Sequence, residues 1–208
     1  FGTRGVLDRF GQVTPKVLFT TDGYIYDQKW HASLPRVKDI LAELSSVEQV
    51  IVVPFSESVP DIKPINNSVL WSDFKIDQTE DQISFEHRPF NHPLFIMYSS
   101  GTTGVPKCIV HSAGGALLQH LKEHQLHCDI KPNDRVFYFT TCGWMMWNWL
   151  VSALASEATL LLYDGSPFAA KDDILFDFAS EEKMTFFGTS AKYIDTLVKR
   201  GAQPSQSH

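Results

Sequence analysis

No stretch of these 208 residues approaches the roughly 20 consecutive apolar residues that a membrane helix needs, so a spanning helix is not expected. The chain does not open on a basic-then-apolar signal. Positive charge is also short, with 18 Lys and Arg against 24 Asp and Glu and a net charge of -6. Nucleic acid and anionic membranes are recognised by a basic face, so neither is an expected partner, and any anion site must be local. Cysteine is scarce: Cys108, Cys128 and Cys142 lie far apart with no C-x-x-C, and a disulfide would leave one over. That usage fits a reduced, cytosolic setting. No G-x-G-x-x-G follows an expected strand, which argues against a dinucleotide-binding enzyme. Internal repeats and low-complexity tracts are absent as well.

What the chain does have is an ordinary globular composition, 43% hydrophobic and 20% charged, in a length that allows one large domain or two small ones. Apolar runs alternate with helical patterns. Val6 to Phe10 reads as a helix, and Lys16 to Thr20 as a buried strand ended by the turn Asp22-Gly23. Ser33 is placed to cap a helix with Pro35 in its first turn, and Val37, Ile40, Leu41 and Leu44 fall on one face. Val50 to Val53 follows as a second strand, which makes a βαβ unit with a parallel pair. Residues 56–93 change character, with prolines, asparagines and mixed charges, and read as a long irregular connection anchored by Val69, Leu70, Trp71 and Phe74. Strands are then expected at Cys108 to His111, Arg135 to Thr140, Thr159 to Tyr163 and Thr185 to Phe187. Helices are expected at Ala116 to His127, Met145 to Ala155, Ile174 to Phe178 and Ala191 to Arg200. The expected class is α/β, with a mostly parallel sheet and helices on both faces.

Two stretches carry chemistry. Tyr98-Ser99-Ser100-Gly101-Thr102-Thr103-Gly104-Val105-Pro106-Lys107 leaves an apolar strand and offers hydroxyls, two glycines and a lysine. Exposed N–H groups in a glycine turn form an anion-binding concavity, hydroxyls add donors, and Lys107 adds a compact positive charge. The spacing is not the P-loop G-x-x-x-x-G-K-[ST], and a polar hairpin turn between two strands is the competing interpretation. The other stretch is Thr140-Thr141-Cys142-Gly143-Trp144-Met145-Met146-Trp147-Asn148-Trp149, just beyond the carboxyl end of an expected strand. Large apolar side chains there can wall a small pocket, and they can equally fill a core. His120, His124 and His127 share a helical face at i, i+4 and i+7, a spacing a metal can use. No acidic or cysteine ligand completes a set, so the expectation is a solvated histidine face. His111 sits just past the loop strand, and Lys171-Asp172-Asp173 reads as a helix start.

Tyr98 to Lys107 resembles the phosphate-binding loop of the adenylate-forming enzymes, roughly [YF]-[ST]-S-G-[ST]-T-G-x-P-K-G, with Cys108 where glycine is usual. Within that superfamily, Gly143-Trp144-Met145-Met146-Trp147-Asn148 is most similar to the acetoacetyl-CoA synthetases. Similar segments include Ile109 to Gly115, Lys131 to Val136, Tyr163 to Pro167, and Leu7-Asp8-Arg9 through Gly23, so the likeness spans nearly the whole chain. It implies an ATP-dependent ligase that makes an acyl-adenylate from acetoacetate and then a thioester of coenzyme A. Ser99, Ser100, Gly101, Thr102, Thr103, Gly104 and Lys107 would hold the ATP phosphates with Mg2+ bridging them, Lys107 being the catalytic candidate. Trp144, Met145, Met146, Trp147 and Asn148 would bound the acid, and Asn148 or Thr141 could donate to its 3-keto oxygen.

The likeness is incomplete. The later motifs Y-G-x-T-E and T-G-D do not occur, and Tyr24 to Lys29 lacks the arginines that help acetyl-CoA synthetases bind coenzyme A. The expectation is therefore a partial adenylation domain, residues 1–208, without its carboxy-terminal part or lid. Such a chain would be inactive alone. The alternatives are a non-catalytic nucleotide-binding or interaction fragment, and a ligase of another short acid.

Overall fold

A computed structural model describes residues 2–56, 59–74, 84–99, 104–169 and 171–206. The chain divides into two units, Phe1–Arg88 with Ile96–Val110, and Pro89–Phe95 with His111–His208.

In the first unit, helix α1 (Thr3–Phe10) ends at Gly11 and is followed by strand β1 (Val17–Thr21). An antiparallel hairpin comes next, β2 (Gly23–Tyr26) and β3 (Lys29–Ala32). Asp27 and Gln28 at its tip both have positive φ, 49° and 61°, the two left-handed residues of a tight hairpin turn. This hairpin lacks an apolar–polar alternation and was not anticipated. Helix α2 (Leu34–Glu43) buries Val37 and Ile40; Pro35 occupies its first turn, while Ser33 stands at the cap without a side-chain bond.

Strand β4 (Gln49–Val53) pairs parallel with β1, as the βαβ pattern predicts. Strand β5 (Ser68–Leu70) then lies parallel on the other side of β4 and runs into the single turn α3 (Trp71–Phe74). The stretch 56–93 is thus not irregular throughout: its Val69 and Leu70 pair with Ile51 and Val52 of a central strand. That position explains why Val50, Ile51 and Val52 are all almost wholly buried, with Val50 and Val52 packing on Val37 and Ile65.

Asp22 is more than a turn residue. Its carboxylate accepts from the Phe55 amide at 2.6 Å and from the Ser56 amide and hydroxyl, tying the end of β1 to the chain beyond β4. Burial pushes its pKa up, but those hydrogen bonds outweigh it and hold the carboxyl below its ordinary range. Strands β6 (Pro93–Tyr98) and β7 (Cys108–Ser112) pair as a two-stranded sheet, and along them the chain passes between the units.

The second unit holds helix α4 (Ala113–Leu121), extended by a π-helical turn over Lys122–His127. There follow β8 (Arg135–Tyr138), α5 (Met145–Ser152) with a 3-10 turn (Ala153–Ser156), β9 (Thr159–Leu161), α6 (Ile174–Glu181), β10 (Phe186–Gly188) and α7 (Ala191–Arg200). The three strands are parallel in the order β10-β8-β9. Neighbouring residues of β8 point to opposite faces. Val136 packs with Trp149, Leu150 and Ala153 of the α5 segment. Phe137 packs with Leu175 of α6 and with Tyr193 and Leu197 of α7. Helices therefore cover both faces, as the expected doubly covered sheet requires, although the parallel strands form two three-stranded sheets.

Further expectations are overturned: β1 is not a buried strand, since Val17 and Phe19 are 47% and 56% exposed. His120 and His124 are buried rather than solvated, and only His127 is exposed. The π-helical turn breaks the α periodicity on which the common face was drawn. Among the described residues no helix is long and apolar enough to cross a membrane, and no group of three or more His, Cys, Asp or Glu could hold a metal.

Candidate functional site

The phosphate-type turn connects β6 to β7 in the first unit. Its neck is closed by two bonds between the same residues: the Ser99 amide donates to the Lys107 carbonyl at 2.9 Å, and the Lys107 amide donates to the Ser99 hydroxyl at 3.2 Å. Ser99 thus serves the loop as an acceptor and keeps its own hydroxyl proton to donate. Gly104 has φ +108°, and among the described residues a Cβ there would meet nothing within 4 Å. It is the backbone conformation, and not space, that asks for glycine. Lys107 is exposed. The outgoing limb is braced by Gln12 beyond α1, whose side-chain amide donates to the Pro106 carbonyl at 2.8 Å and whose oxygen accepts from the Cys108 thiol at 3.6 Å. Burial, with Cys108 nearby, raises the Tyr98 phenol pKa, against a smaller opposing effect of Arg9, so Tyr98 is a neutral packing residue. Ser100, Gly101, Thr102 and Thr103 lie outside the described residues.

The aromatic stretch lies in the second unit. The Trp144 amide donates to the Thr141 carbonyl at 3.0 Å, closing a turn, and Trp144 is the extended residue from which α5 starts. Trp144 is 66% exposed and Met145 is exposed too. Met146, Trp147 and Asn148 are half-buried, Met146 against the core, while Trp149 belongs to the core itself. The segment is therefore graded, with exposed residues at its start and core residues at its end. The core interpretation of the sequence holds for Trp149.

The strand order adds a feature that the sequence pattern did not reveal. From β8 the chain goes through α5 to β9 on one side, then through α6 back to β10 on the other. Ligands of parallel α/β sheets lie outside the carboxyl ends of strands at such a switch point. Here those ends are Tyr138–Phe139 and Gly188–Thr189, joined by the Phe139 amide donating to the Gly188 carbonyl at 2.9 Å. A Cβ on Gly188 would come within 2.2 Å of the Tyr138 ring, so only glycine lets the two ends approach. The Thr189 hydroxyl oxygen is buried and has no hydrogen-bond partner among the described residues. Without knowing that β10 neighbours β8, neither residue stands out; the aliphatic-poor ending of a strand in Gly-Thr-Ser was the available signal.

The AMP-binding enzyme family pattern matches residues 2–208. The chain belongs to the AMP-binding enzyme family. It is 51% identical over its whole length to an acetoacetyl-coenzyme A synthetase of Rhizobium meliloti (strain 1021), covering 32% of that protein. It is 43% identical to a malonamoyl-CoA synthetase of Penicillium aethiopicum, over 98% of this chain and 30% of that one. The solved structure of acetoacetyl-CoA synthetase from Streptomyces lividans superposes with a TM-score of 0.89 at 45% identity, over 99% of this chain and 31% of the other. The chain thus spans about a third of the length of the relatives it matches.

Proposed function

We propose that the protein carrying this chain is an acid–CoA ligase that activates acetoacetate, and that residues 1–208 are part of its adenylation domain. The observation that carries this is the likeness, in sequence and in structure, to acetoacetyl-CoA synthetases along the whole chain. In the first step a carboxylate oxygen attacks the α-phosphorus of ATP, the bond to the β-phosphate bridge breaks, and pyrophosphate leaves. In the second, the sulfur of coenzyme A attacks the acyl carbon, AMP leaves with the carboxylate oxygen, and the thiol proton goes to solvent. Such chemistry depends on positioning and charge neutralisation.

Ser99, Ser100, Gly101, Thr102, Thr103, Gly104 and Lys107 hold the β- and γ-phosphates in this proposal, with Lys107 balancing their charge. Mg2+, when bound, would neutralise phosphate oxygens alongside Lys107. Trp144, Met145, Met146, Trp147 and Asn148 bound the acid. Three free cysteines suit a reducing compartment such as the cytosol.

A second substrate follows from the Penicillium relative. Malonamate and acetoacetate are both short acids with a carbonyl at the third carbon, so the shared class is the 3-oxo short-chain acid. The test is pyrophosphate release by the full-length protein with acetoacetate, malonamate, acetate and octanoate. Acetoacetate should lead, with malonamate ahead of acetate and octanoate; equal rates with all four defeat the proposal.

A further inference from the structure

Helix α4 does not continue to its end as an α-helix. Over Lys122–His127 it widens into a π-helical turn, in which the Cys128 amide donates to the Glu123 carbonyl at 2.9 Å, five residues back. Such turns are uncommon and often mark sites where a side chain must be re-aimed. This one carries His124 fully out of solvent, at 0% exposure, beside His120 at 6%, with their ring centroids 6.3 Å apart.

Both rings face α5. The His124 ring meets Trp149 edge-on at 4.3 Å between centroids. The Trp149 indole N–H donates to Glu123 at 2.9 Å, and the Gln119 amide donates to the same carboxylate. His120 Nδ1 lies 2.9 Å from the Ser152 hydroxyl, which itself donates to the Asn148 carbonyl at 2.9 Å. The single hydroxyl proton is committed to Asn148, so His120 must donate from Nδ1. Helix α5 is thus gripped at Trp149 and Ser152, one turn behind the exposed Trp144 and Met145.

Burial, above all, pushes the pKa of both histidines down. His111 on β7 adds to this for His120, and His120 adds to it for His124; Glu123 opposes it at both, and the Trp149 backbone opposes it at His124. Among the described residues neither nitrogen of His124 has a well-formed hydrogen bond. Lys122 and Cys128 stand near Glu123, and α5 with its 3-10 turn brings no charged side chain to the pair.

We propose that His120 and His124 are positioning residues: neutral, they fix α5 and with it the Trp144 to Asn148 wall, and protonation of either one, which leaves the His120 Nδ1 bond in place but sets a charge where solvent does not reach, releases it. The consequence for the acid rests on the proposed function, whereas the grip on α5 does not. An unfolded chain accepts the imidazole proton near pH 6.5, and the folded pair resists it. Their contribution is therefore complete above about pH 6.5 and is lost progressively as the pH falls below it.

Hydrogen exchange on the full-length protein tests this, with intrinsic rates corrected. Protection of residues 145–152 should fall at least about tenfold between pH 7.5 and 5.5 relative to α7. In a His120→Asn/His124→Phe protein, where the amide still reaches Ser152, protection should be pH-independent. If the double variant does not fold, each single variant should at least halve the fall on a logarithmic scale. No fall in the wild type, or an undiminished fall in the variants, overturns the proposal. As a second readout, KM for the acid should rise at least about threefold at pH 5.5 while KM for ATP holds, and the variant should be flat. Absence of thioester with any short 3-oxo acid would defeat the function proposal and leave the exchange result to decide this one.

Discussion

The phosphate-type turn and the aromatic segment at the start of α5 both leave the end of a strand, and they are built in opposite ways. The turn works through its backbone. Two bonds between Ser99 and Lys107 close its neck, Gly104 takes a positive φ, and Lys107 stays exposed. The α5 segment works through packing, since Trp149 and Leu150 root it in the core while Trp144 projects. A site made of backbone should lose function without losing fold, whereas one made of core side chains should lose both.

Replacing Trp149 with alanine is expected to have the largest effect, about 3–5 kcal/mol of lost stability read from the denaturant midpoint, because it empties core space and takes one of two donors from Glu123. A midpoint within error of wild type would show that the segment is not rooted as described. Lys107→Ala should leave stability unchanged and lower kcat/KM for ATP in the full-length protein by about a hundredfold, close to 2.7 kcal/mol. Unaltered pyrophosphate release would remove Lys107 from the site, and a lost fold would collapse the contrast between the two regions. The smallest stability effect is expected from Trp144→Ala, under about 0.5 kcal/mol. If it acts as a wall, KM for the acid rises while KM for ATP does not move.

The same contrast explains what the sequence made legible. The turn stood out because the function proposed for it needs particular residue types at fixed spacing: glycine for the backbone, hydroxyls and lysine for anions. The βαβ order and the paired helices came from periodicity, which burial on one face imposes. Three features were not readable. The β2–β3 hairpin has no alternation, since both strands are largely exposed. Strand β5 is three residues in a polar stretch, and only its register on β4 makes it a strand. The burial of His120 and His124 depends on a π-helical turn that a 3.6-residue period does not describe. Within Trp144 to Trp149 the residue types were alike, so composition could not say which side chain is rooted and which projects; the position of the helix on the sheet decided it.

The strand order β10-β8-β9 also fixes a sequence of events in time. Strands β8 and β9 are neighbours along the chain, but β10 must close on β8 across 50 residues, where the Arg135 amide reaches the Thr185 hydroxyl. Contacts of such separation pay their loop entropy before they return anything, so they form late. On a ribosome the junction of Tyr138 and Gly188 cannot form until β10 has emerged, and until α7 follows it the Phe137 face of β8 lacks Tyr193 and Leu197 and is only partly covered against passing chaperones or neighbouring nascent chains.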